Sequence, residues 1–170
     1  MSDECPTCIK HFSDIAEVDG ETNRYPGSEE CLSIGSAFGK ALGLTRLGIN
    51  HELLPPGRRT SWPHCHSADE EFVYVIEGTP DVWIDGHLHR LKPGDGVGFP
   101  PGTGVSHTVI NNTDSPVRLL VVGDARRPDD RGHYPVNPEG NEMLKKRGTH
   151  WADAPKRELG PDDGGPARTE

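Results

Sequence analysis

"PHCHSADEEFVYVIEG", Pro63 to Gly78, decides how this chain is read. Two histidines one residue apart are followed by an acidic cluster and an alternating apolar run that stops at a glycine. The second half, rich in β-branched and aromatic residues, has the pattern of a strand. Successive side chains on a strand point to opposite faces, so His64 and His66 share a face and Cys65 points away from them. Trp62 has the same parity and is placed to wall the same space. Further on, Glu71, Val73 and Val75 share one face, whereas Glu70, Phe72, Tyr74 and Ile76 share the other. Both faces carry apolar residues, so alternation alone leaves the acid open between Glu70 and Glu71.

Working outward, "LTRLGINHELLPPG" (44–57) reads as a half-buried strand and a turn. His51 lies there with Leu47, Ile49 and Leu53 on its face, and is a candidate general base looking into a cavity. Arg58 and Arg59, just after the turn, are candidates to hold an anionic substrate. Downstream, Asp85-Gly86 separates two short strands as a hairpin signal, with His87, His89 and Trp83 nearby read as solvated or packing residues. "VSHTVINNT" is a later strand on which His107 and Val109 share a face. At least six short strands joined by turns point to a β-barrel or double-sheet sandwich. After Gly123 prolines, glycines and charges mix. Tyr134, Met143, Leu144 and Trp151 are expected to pack part of that segment, and the end from Leu159 is expected to be mobile.

Composition limits the partners. The 170 residues suit one domain with extensions. The formal charge of −9 argues against nucleic acid and anionic membrane, which demand a basic surface. No apolar run approaches a membrane span and no secretory signal opens the chain, so a cytoplasmic protein is expected. With 32% hydrophobic residues, 21 glycines and 16 prolines, the chain suits a β domain with polar arms better than a helical bundle. Cys5 and Cys8 form a CxxC followed by His11. Without a second CxxC or a βαβ pattern, these thiols, with Cys31 and Cys65, read as ordinary reduced cysteines.

Two neighbouring histidines, an acid and a distant third histidine supply three imidazole nitrogens and a carboxylate. That donor set suits Fe, Mn, Ni, Cu or Zn rather than the oxygen-seeking Ca or Mg.

The stretch from Gly57 to Asn111 resembles the cupin superfamily. Its two motifs find counterparts in His64-x-His66-x4-Glu71-x6-Gly78 and in Gly104-x2-His107-x3-Asn111, with Gly96 upstream. Gly57 lies one residue further from His64 than the family pattern asks, and Gly102 stands where the pattern has proline; both departures fall in turns. The resemblance favours Glu71 over Glu70. It implies an all-β, double-stranded β-helix (a jelly-roll-like barrel) over 42–124, an amino-terminal arm over 1–41 and a polar carboxy-terminal extension over 125–170. It also implies one mononuclear divalent transition metal (Fe, Mn, Ni or Zn) held by His64, His66, Glu71 and His107, in a cavity lined by Trp62, Val73, Val75 and Val109. A homodimer is expected, with residues 1–40 adding a strand to the partner or to its edge. The expected function is a metal-dependent enzyme of dioxygenase, isomerase or lyase type acting on a small polar molecule. The alternative is a non-catalytic cupin that binds or senses a small ligand.

Overall fold

The alternating runs become strands. The computed structural model describes residues 6–20, 23–125 and 127–167. Its regular elements are β1 (Ile34–Ala37), α1 (Phe38–Ala41), β2 (Leu47–Leu54), β3 (Cys65–His66), β4 (Glu71–Glu77), β5 (Asp81–Ile84), β6 (His87–Arg90), β7 (Gly96–Phe99), β8 (His107–Ile110), β9 (Val117–Asp124), β10 (Gly132–His133) and α2 (Pro138–Arg147). They form a five-stranded sheet ordered β1-β2-β9-β4-β7, a three-stranded sheet ordered β6-β5-β8 and a β10-β3 pair. Val73 and Val75 of β4, Leu54 of β2 and Leu119 of β9 pack against Val82 of β5 and Val109 of β8, so one core lies between the two larger sheets. Each of these side chains, fully buried, contributes about 1.5–3 kcal/mol relative to exposure. This is the double-stranded β-helix architecture. Val73, Val75 and Val109, expected to line a cavity, fill this core instead.

Turn chemistry sets the register. Asp85 and Gly86 have φ of 45° and 86°, the two positive values that a tight type I′ hairpin turn between β5 and β6 requires. Gly86 also has a steric reason to be glycine: a Cβ there would meet the backbone nitrogen of Gly160 at 2.3 Å.

The segment before β3 runs antiparallel to β8. Gly57 N–H donates to Asn111 O, Thr60 N–H to Val109 O, and His64 and His107 exchange both backbone hydrogen bonds, at 3.2 and 2.9 Å. It thus extends the smaller sheet.

Both extensions pack more than their sequence suggests. β1 pairs with β2 of the same chain, and an isolated bridge joins Ala16 to Ser36 beside it. The sheet therefore begins at Ile34 rather than at residue 42, and the arm borders its own chain. β1, "IGSA", is too short and too poor in β-branched residues to announce itself. The end is corrected too. Residues 160–167 lie against the hairpin and the core: Gly160 N–H donates to Asp85 O, Trp83 Nε1–H to Asp162 O at 3.0 Å, and Ala167 N–H to Asn112 Oδ1 at 2.8 Å. Backbone groups make these contacts, which is why a segment with little to bury still docks. Cys5 lies outside the described residues, and Cys8 is an exposed free thiol.

Candidate metal centre

His64 and His107 form a directly opposed cross-strand pair, so their side chains leave the same face with ring centroids 5.0 Å apart. His66, two residues along, shares that face and stands edge-on to His64 at 4.9 Å. Glu71 arrives from the opposite sheet as the first residue of β4, on the inward face with Val73 and Val75. One donor atom from each of His64, His66 and Glu71 lies within 4.8 Å of the other two. The fourth group closes in: His107 Nε2 is 3.5 Å from Glu71 Oε1. Glu70 is exposed and stays outside the cluster.

The hydrogen bonds around the rings decide which nitrogens are free. His64 Nδ1 lies 2.8 Å from Trp62 O, which only accepts, so Nδ1 carries the proton and Nε2 keeps its lone pair. His66 Nδ1 donates to Asp130 Oδ2 at 2.7 Å, with the same consequence. Neither ring nitrogen of His107 has a hydrogen-bond partner, although the residue is only 3% exposed and stacks on Phe99 at 3.6 Å. A buried imidazole with both nitrogens unpaired is costly, and a metal bond at one of them reduces that cost. The residues present therefore fit a transition-metal ion. The electrostatics of His64 and Glu71 agree with that fit. Burial, together with the neighbouring His107 and His66, holds His64 far below the ordinary imidazole range, hence neutral. Burial alone would raise Glu71, but the neighbouring imidazoles, His107 first, outweigh it and hold the carboxyl below its ordinary range, so it stays ionised.

Cys65 points away, as its parity requires. It is buried, and its thiol approaches His133 O at 3.8 Å. A Cys65→Ser protein is expected to bind metal as the unaltered chain does. A sulfur-to-cobalt absorption band present in the native protein and missing from the variant would refute this.

Several expected roles are corrected. His51 lies on the outer face of β2, stacked on Phe12 at 4.4 Å, and does not reach the interior. Arg58 is committed to Asp19 at 2.6 Å. Arg59 is buried, bound through two nitrogens to Glu30 at 2.7 and 2.8 Å and donating to Gly164 O. Neither guanidinium is free for a substrate anion. Trp62 is covered by the arm, stacking on Tyr25 at 3.9 Å and donating from Nε1 to Glu30.

Two residues escaped the sequence reading. Glu52 has the parity of Leu54 and faces inward; its Oε2 is buried without a partner. Burial first, then the nearby carboxylates Glu71 and Glu17, push its pKa up to about 7. The other is Asp130, which belongs to the carboxy-terminal extension. A cavity of about 270 Å³ adjoins the centre, lined by His64, His66 and Asp130 together with Arg127, Tyr134 and Leu144.

Residues 50–123 match the Cupin domain family. Protein SchB of Streptomyces halstedii is 31% identical over 121 residues, covering 70% of this chain and 83% of that protein. Polyketide synthase CurC of Streptomyces cyaneus is 32% identical over 108 residues, 63% of this chain, and the match spans 64% of its length, under two thirds. Among solved structures, a sugar phosphate isomerase from a cupin superfamily of Silicibacter pomeroyi is 37% identical with a TM-score of 0.58, over 60% of this chain and 64% of that one.

Proposed function

This chain belongs to the cupin superfamily, and from that premise we propose that it is a metal-dependent enzyme of isomerase type, acting on a small polar hydroxycarbonyl molecule. The observation that carries the proposal is the cluster of His64, His66 and Glu71 with His107 against Glu71, two of the histidines being turned to offer Nε2, beside a cavity of small-molecule size. A divalent transition metal held there supplies Lewis-acid polarisation of a carbonyl or hydroxyl oxygen.

The remaining tasks fall to the chain. Trp62 O and Asp130 fix the two sequential histidines, and Phe99 fixes the plane of His107. The isomerase type is supported by the name of the Silicibacter pomeroyi relative.

The test is to incubate the metal-loaded protein with a panel of aldoses, ketoses and their phosphates in deuterated water and follow the spectra. Interconversion with deuterium exchange at the carbon beside the carbonyl is expected, abolished by chelation. Binding of a sugar without exchange or conversion would overturn the enzyme reading in favour of a ligand-binding cupin.

We also infer that two copies pair through the outer face of the five-stranded sheet. Leu47, Phe72, Tyr74 and Ile76 are 39–52% exposed there, an apolar surface that favours burial. Light scattering is expected to give a dimer of the 18.5 kDa chain, reduced to monomer by Tyr74→Glu. A monomeric native protein would contradict this pairing. Among the described residues no helix is long and apolar enough to cross a membrane.

A further inference from the structure

We propose that Asp130 is a positioning residue for the metal centre, fixing the tautomer of His66 and the loop that carries the chain from His66 to Glu71. The inference rests on the reading of His64, His66, Glu71 and His107 as ligands.

The two oxygens of Asp130 have separate tasks. Oδ2 accepts from His66 Nδ1 at 2.7 Å. Oδ1 accepts the backbone N–H groups of Ala68 at 2.9 Å and Asp69 at 3.1 Å, and approaches Ser67 Oγ at 3.4 Å. The carboxylate is itself anchored, since Ser67 N–H donates to Arg131 O at 2.9 Å and Arg131 N–H returns a bond to Ser67 Oγ at 2.8 Å. One side chain thus holds a ligand and the four-residue loop that sets its spacing to the next ligand.

An ionised carboxylate only accepts. It therefore keeps the proton on His66 Nδ1 and directs the Nε2 lone pair at the centre. His64 receives the same service from the backbone carbonyl of Trp62. His64 Nδ1 also has Ser61 Oγ at 3.2 Å, but of these two histidines only His66 is oriented by a carboxylate, and that carboxylate comes from the extension beyond the barrel. The extension is then part of the site.

His66, Asp69 and Asp130 also bring donor atoms within 4.8 Å of one another, a possible cation site in outline.

Asp130→Asn gives a sharp test. The amide oxygen should stay on the two backbone N–H donors, which turns the NH2 group toward His66 Nδ1. Two donors cannot face each other, so the His66 proton should move to Nε2 and occupy the lone pair meant for the metal. Cobalt(II) titrations of the native protein, Asp130→Asn and Asp130→Ala are to be read by visible absorption, and the His66 tautomer by nitrogen-15 NMR of the metal-free proteins. We expect both variants to bind roughly 10–100-fold more weakly. Native His66 should be the Nδ1–H tautomer and Asp130→Asn the Nε2–H tautomer, with melting close to native.

Native affinity in Asp130→Asn, or an unchanged tautomer, would overturn the proposal; so would two cobalt ions per native chain falling to one in the variants. If Asp130→Ala fails to fold, Asp130→Asn decides alone. A native protein that takes up no cobalt, yet shows the tautomer change, would overturn the ligand reading while leaving the Asp130–His66 interaction standing.

Discussion

His107→Ala is expected to reduce bound metal from one ion per chain to a trace, with the metal-free protein still folded. His107 sits opposite His64 at a fixed backbone register, and its ring, buried against Phe99, is the partner nearest to Glu71. Removing it deletes a bond that no neighbouring donor is placed to replace, since Cys65 faces away and Glu70 is exposed. Loss of a ligand should exceed the roughly 10–100-fold penalty typical of an orienting partner. Elemental analysis and cobalt titration read the effect, and a melting curve of the metal-free variant separates it from unfolding. Full occupancy in His107→Ala would remove this histidine from the site.

The second large effect concerns Glu52 and pH. Its pKa in the folded protein is about 7, against 4.5 for an exposed glutamate, chiefly because burial penalises the charge. Between those values the folded state binds more protons than the unfolded chain, so this residue's contribution falls as pH rises. That contribution is fully present below about pH 4.5 and lost through about pH 7. Glu52→Gln keeps the shape without the charge. Metal-free Glu52→Gln should match the native protein in stability near pH 4 and exceed it by about 2–3 kcal/mol above pH 8. Chemical denaturation across that range checks it. Parallel stability curves for the two proteins would show that the carboxylate is solvated.

The same residue shows why one part of the site was hidden in the sequence. On β2 the apolar side chains Leu47, Ile49 and Leu53 lie on the outer face, covered by the arm or left exposed, while Gly48, Asn50 and Glu52 face inward with Leu54. The usual link between apolar parity and the interior is reversed there, so His51 was read as inward. Alternation did place His64 and His66 on one face with Cys65 on the other, whereas on β4, apolar on both faces, it could not choose the inward one. The hairpin at Asp85-Gly86 was equally legible, because its two positive φ values have a strong local sequence signature.

Asp130 was not legible for a different reason. It lies in "RRPDDRG", where nothing local separates it from its neighbour Asp129, and its partner His66 is 64 residues away. The docked end from Gly160 to Ala167 was missed because backbone hydrogen bonds hold it, and these leave no trace in hydropathy. Glu71 was separable from Glu70 only through the family motif, since both faces of its strand are apolar: one packs in the core and the other forms the exposed outer face.

The central claim is that three histidines and one glutamate hold a single metal ion. X-ray absorption at the metal edge of the native protein, loaded with one equivalent of cobalt(II), tests it most directly. The account predicts a first shell of nitrogen and oxygen only, at about 2.0–2.2 Å, with the scattering pattern of three imidazoles. A sulfur shell at about 2.3 Å, or a shell of water oxygens without imidazole scattering, would contradict it.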